Sequence, residues 1–175
     1  YRLDAYSKAS RLSFFLWDTA PDAELLAAAE SGDLNSDRGM AKQVDRLLAS
    51  PRLEAGVRAF FADMLGFDAF DTLAKDPTLY PKFSPRVIFD AQEQTMKTIV
   101  DLLLTNKGDY RDLFTTRKTF LTPTLASIYR VSAPAPDGEL NAWVPYEYPA
   151  DAEQAGILTE ASFVGLHSHP GRSSP

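Results

Sequence analysis

The chain of 175 residues carries 18 Lys and Arg against 24 Asp and Glu, a net charge of −6, and 45% of it is hydrophobic. That is one domain's length with enough apolar side chain for a core, and its acidity argues against a nucleic-acid binder or a polybasic membrane anchor. Cys is absent, which excludes disulfides, zinc–thiolate sites, iron–sulfur clusters and covalently attached c-type haem within these residues, and no apolar run approaches the roughly 20 residues of a membrane-spanning helix.

Asp4 is a good N-cap for a first helix to about Trp17, with Ala5, Ala9, Leu12 and Leu16 at helical spacing and Lys8 and Arg11 on the solvated side. Thr19-Ala-Pro21-Asp22 reads as the start of a second helix, which carries Leu25 and Leu26 and stops at Gly32. Ser36 caps a third, with Met40, Val44, Leu47 and Leu48 on its buried side, and Ser50-Pro51 ends it and opens a fourth. The fourth is the most apolar, with Leu53, Val57, Phe60, Phe61 and Met64, and ends at Gly66. A loop of aromatic and turn residues follows, holding Phe67, Phe70, Tyr80 and Phe83.

Ser84-Pro85 starts a fifth, longer helix to about Leu104, with Ile88, Ala91, Thr95, Ile99 and Leu102 on its face. Asp112-Leu-Phe predicts a short helical turn, Thr122-Pro123 starts a sixth helix through Tyr129, and a final short helix is expected over 154–163. No stretch alternates like a strand beyond four residues. The expected fold is all-α: a compact array of about six helices over 1–130, with an irregular arm over 131–175 packed on that body in a single domain. The arm holds six of the twelve prolines and, with six acidic residues against Arg172, −5 of the net charge. Its Trp143, Tyr146, Tyr148, Ile157, Leu158, Phe163 and Leu166 call for burial.

Residues able to carry chemistry are few. His167 and His169, in His-Ser-His before Pro170, are the only histidines. Two apart in an extended segment they point the same way, but a third and fourth ligand at recognisable spacing is missing, so no metal is assigned. The favoured reading makes them hydrogen-bonded loop histidines. Ser168, Ser173 and Ser174 lack a nucleophile elbow. Glu93, mid-helix near the apolar side, is the carboxylate to check, and an ion pair with Lys97 is expected rather than catalysis. No catalytic residue is assigned. The rings of Phe67, Phe70, Tyr80 and Phe83, where exposed, would mark a partner surface.

Several segments together resemble a known family. They are Leu3-Asp-Ala-Tyr-Ser-Lys-Ala-Ser-Arg-Leu-Ser-Phe-Phe-Leu-Trp17, Pro21-Asp-Ala-Glu-Leu-Leu26 and Gln43-Val-Asp-Arg-Leu-Leu-Ala-Ser-Pro-Arg52, then Thr119-Phe120, Leu125-Ala126 with Tyr129, Gly156-Ile-Leu-Thr-Glu-Ala-Ser162 and Ser168-His-Pro-Gly-Arg-Ser-Ser-Pro175. The chain resembles the domain of unknown function 1592 of secreted, cytochrome-like bacterial proteins first grouped in planctomycetes, running into the start of the following module. Thr122, Arg130 and Ser173 depart from the family's usual Asn, Gly and Thr.

The resemblance implies export to the periplasm or beyond, a place in a train of modules, and therefore a piece of a larger protein. It implies no cofactor within this chain, with haem c carried by neighbouring modules. The function it implies is a non-catalytic helical module that positions or shields such a haem. His169 would be the first candidate axial ligand or propionate partner, His167 the second, and Arg172 a propionate contact. Its partners would be neighbouring cytochrome-like modules or protein subunits. The alternatives are a scaffold or interaction subunit with no redox role and, more weakly, a hydrolase acting on extracellular polymer.

Overall fold

The computed structural model describes residues 3–133, 138, 139 and 141–171. Its helices are α1 (Ala5–Trp17), α2 (Ala23–Glu30), α3 (Asp37–Leu48), α4 (Leu53–Met64), α5 (Pro85–Val100), α6 (Pro123–Tyr129) and α7 (Ala161–His167), with two short strands, β1 (Lys118–Leu121) and β2 (Val144–Glu147). The fold is mostly helical, in keeping with the all-α expectation. The chain divides into two compact units, Tyr1–Asp63 and Met64–Pro175. Residues on either side of Arg130 fall in the same unit.

In the first unit the helix starts follow their caps. Asp4, Asp22 and Ser36 each accept a bond from the backbone N–H three residues on, satisfying an orphan donor of the first turn. The second helix therefore begins at Asp22, one turn later than Thr19 would set it. Ala9, Trp17, Leu25, Leu34 and Leu47 form the core. Leu48, expected inside, is 46% exposed, whereas Gln43 is buried. Gly56 lets α4 lie against the end of α1: a Cβ there would stand 2.1 Å from the Leu16 carbonyl oxygen. Phe60 and Met64, also expected inside, are exposed on α4.

In the second unit α5 is the central element, packed by β1, α6 and α7. Its buried residues include Val87, Asp90, Ala91, Gln94, Thr95, Thr98 and Ile99. Past Val100 the helix widens into a π turn, Asp101–Thr105, closed by the Asn106 N–H and side chain on the Asp101 carbonyl. The strands went unpredicted because each is four residues long, and one contains Pro145. They pair antiparallel, Lys118 opposite Glu147 and Leu121 opposite Val144. Thr119 and Leu121 face inward.

The expected helix over 154–163 is split. Gly156, at φ 73, starts a 3₁₀ turn, Ile157–Thr159, and Glu160 stands extended before α7. Gly156 is required twice over: a Cβ would meet the Phe114 carbonyl oxygen at 2.2 Å, and its φ is positive; its N–H also bonds the Thr116 carbonyl. Among the described residues no helix is long and apolar enough to cross a membrane.

Candidate functional site

Two features of the second unit gather polar or charged side chains: a cavity under the aromatic loop and a buried carboxyl behind it. The cavity, of about 490 Å³, is walled by Phe70, Leu73, Phe83, Val87, Ile88 and Val164 among others. Its polar lining comes from Lys75, Tyr80, Lys82, Arg130 and Ser168, with no carboxylate among them.

The aromatic loop and the His-Ser-His segment, flagged separately in the sequence, meet at this cavity. Lys75 Nζ donates to the Ser168 carbonyl at 2.6 Å and to Ser168 Oγ at 2.8 Å. Asp76 N–H donates to the Pro170 carbonyl at 2.9 Å, and Tyr80 Oη–H to that of His169 at 3.2 Å. The loop thus clasps residues 168–170. Burial pushes the Lys75 ammonium below its ordinary pKa.

This arrangement corrects the expected partner surface. Phe67 and Phe70 are buried and stack edge-to-face at 5.3 Å, while Tyr80 and Phe83 are half-buried in the cavity wall. Phe67 and Phe70 are thus withdrawn into the interior while Tyr80 and Phe83 keep part of their surface, so the four do not form one outward patch.

The histidines differ in what their hydrogen bonds dictate. His167 Nδ1 lies 2.8 Å from the Phe163 carbonyl, which can only accept, so the proton sits on Nδ1 and the lone pair on Nε2. The ring stacks on Phe163 at 4.2 Å. His169 Nδ1 instead accepts from the Gly171 N–H, which places its proton on Nε2. The two histidines are thus held differently, His167 through its own helix and His169 through the Gly171 N–H. Arg172, Ser173 and Ser174 lie outside the described residues. Among those described, no three His, Asp or Glu side chains are grouped to hold a metal ion.

Glu93 is paired with Lys97 at 3.8 Å, as expected, and does not line the cavity. The carboxyl that sequence reasoning missed is Glu160. Fully buried, it accepts from Thr95, Thr98 and Thr119, at 2.5, 3.0 and 2.9 Å. Gln94 extends the network, donating to Thr119 and accepting from Tyr129, whose oxygen accepts from the Ala161 N–H. Desolvation outweighs the three hydroxyls and lifts Glu160 to about 7. The Tyr129 and Tyr148 phenols are pushed up by their own burial and then by Glu160. No periodicity marks Glu160; its only sign in the sequence is the company of Thr159 and Ser162. Glu160 is not among the residues lining the cavity under the aromatic loop, and its bonds brace α5 and β1 against the start of α7.

A second buried acid, Asp90, accepts from Thr122 at 2.7 Å and lies 2.8 Å from Arg86 Nε. Thr122 also caps α6 by accepting from Leu125 N–H. It therefore serves as cap where Asn was expected.

Compared with known families, residues 3–131 match the model described as protein of unknown function (DUF1592). The chain belongs to this family. The DUF1592 match takes in α1 to α6 and β1, whereas β2, Glu160 and α7 lie beyond it. No curated protein and no solved structure gives a significant match. Within the first unit, the residues by which the sequence resembles DUF1592 converge on one joint. Trp17 Nε1–H donates to the Leu47 carbonyl, and the guanidiniums of Arg46 and Arg52 lie 5.5 and 5.0 Å from its ring. Arg46 also bonds Asp22 and Gln43. These DUF1592 residues are spent on holding helices together.

Proposed function

We propose that this DUF1592 chain is a non-catalytic helical module of an exported, haem-associated redox protein of the planctomycete cytochrome-like kind, positioning or shielding a haem carried by a neighbouring module. The observation that carries this reading is His167. A backbone carbonyl fixes its Nδ1 proton and its ring is stacked, which is the support metal-ligating imidazoles ordinarily receive. An exposed imidazole held in that tautomer fits an axial haem ligand, whose identity and burial set the iron's potential. His167 would hold the iron from this chain's side, and α7 would fix where it stands.

The test is His167→Ala in the haem-bearing protein, read by visible spectrum and midpoint potential. Both are expected to change, while His169→Ala leaves them as they were. An unaltered spectrum and potential in His167→Ala would remove the ligand role.

A second reading, a scaffold or interaction subunit with no redox role, draws on α1. Phe14 and Phe15 are 56% and 73% exposed there, within the stretch that most resembles the family. Loss of a co-purifying subunit on Phe15→Ser, with the fold intact, would favour it. The weaker hydrolase reading would need convergent carboxylates in a cavity near Glu93, and the cavity under the aromatic loop is lined by none.

A further inference from the structure

The cavity under the aromatic loop has a chemistry of its own, independent of any haem. Its volume of about 490 Å³ falls in the range of small-molecule sites, roughly 300–1,000 Å³. The wall is aliphatic and aromatic. Against a net charge of −6 for the whole chain, it nevertheless carries three cations, Lys75, Lys82 and Arg130, and no acid.

None of the three is neutralised by a carboxylate among the described residues. Lys75 spends two of its three donors on Ser168 and lies 5.7 Å from the Tyr80 ring, and Lys82 donates to the Ser127 carbonyl at 2.6 Å. Neither amine faces a carboxylate partner there, and beside the apolar wall an anion is attracted more strongly than in open water. Arg130 is set at the rim by the end of α6, where it takes the left-handed conformation at φ 57. Its N–H and that of Val131 both bond the Ala126 carbonyl. That is a costly position for a residue other than Gly.

We infer that this cavity binds an amphiphile with a single apolar tail and an anionic head group, the tail against Phe70, Phe83, Val87, Ile88 and Val164 and the head between Lys75, Lys82 and Arg130. A fatty carboxylate and a lipid phosphate share that chemistry. The tail supplies the area that drives binding, and the cations decide which head is accepted.

The test is calorimetric titration of the full chain with dodecanoate, dodecyl phosphate and dodecanol, each below its micellar or solubility limit. Both anions are expected to bind one-to-one, about tenfold or more tighter than the alcohol. The tighter of the two identifies the head group as carboxylate or phosphate. Arg130→Gly and Lys82→Met, both at exposed positions, should each weaken the anions by about threefold or more and leave the alcohol unchanged. Val164→Trp, which fills the cavity from α7, should weaken all three. Absence of binding by both anions, an alcohol as tight as the anions, or cation variants without effect would each overturn the inference.

Discussion

Arg46 clasps Asp22 with both arms of its guanidinium, at 2.7 and 2.9 Å, while Asp22 caps α2 through the Leu25 N–H. One carboxylate thereby starts one helix and ties it to another. The bidentate geometry is the kind in which Arg cannot be replaced by Lys. Both side chains are about one-quarter exposed, which tempers the ion pair. Arg46→Ala also loses its contact with the Trp17 ring and its bond to Gln43, and is expected to cost about 2 kcal/mol by denaturant titration. Arg46 holds the Asp22 carboxyl below its ordinary value. This pair therefore stabilises fully above about pH 4 and is lost as pH falls further. Asp22→Asn, which keeps a capping oxygen, should cost less and remove that acid-side dependence.

Glu160 gives the opposite slope. The folded carboxyl keeps its proton up to about pH 7, against an ordinary value of 4.5. Between those values the folded state binds more protons than the unfolded one. Stability is then fully present below about pH 4.5 and falls as pH rises through 7, by an amount on the order of 3 kcal/mol. Thermal melts from pH 5 to pH 8 should show this decline. Glu160→Gln, which cannot ionise, should flatten the decline and melt higher than the parent at pH 8. A parent that holds constant stability over that range would refute the buried-acid account.

Gly156→Ala is expected to cost about 2–4 kcal/mol, since the added carbon meets the Phe114 carbonyl and φ is positive. The effect is steric and should be independent of pH, which separates it from Glu160 in the same melts.

Arg130→Gly is expected to do the reverse. Relief of a left-handed non-glycine residue at the end of α6 should raise stability by about 0.5–1 kcal/mol. A stabilised variant that binds anionic amphiphiles less well would show that Arg130 is retained for its charge. Equal or lower stability would mean that its side chain packs better than its exposure implies.

Helix starts were the most legible part of the sequence, because a cap is a local device. Asp4, Ser36, Ser84-Pro85 and Thr122-Pro123 each sit where the structure caps a helix. Burial along each helix was less legible. Leu48 and Phe60 look like core residues by spacing, but tertiary packing leaves them exposed and takes Gln43 and Gly56 inside. The candidate site could not be read locally at all. Lys75 and Ser168 are 93 residues apart, and Glu160 finds its three threonines on α5 and β1, 41 to 65 residues away. The histidines were visible, but which of them offers a lone pair depends on the Phe163 carbonyl and the Gly171 N–H, which only the fold brings to them.

The haem-associated role is tested most directly by the protein isolated from its native source, through intact mass and visible absorption together. The account predicts a mass well above that of these 175 residues and a c-type haem spectrum. A colourless protein would contradict it and leave the scaffold reading in its place.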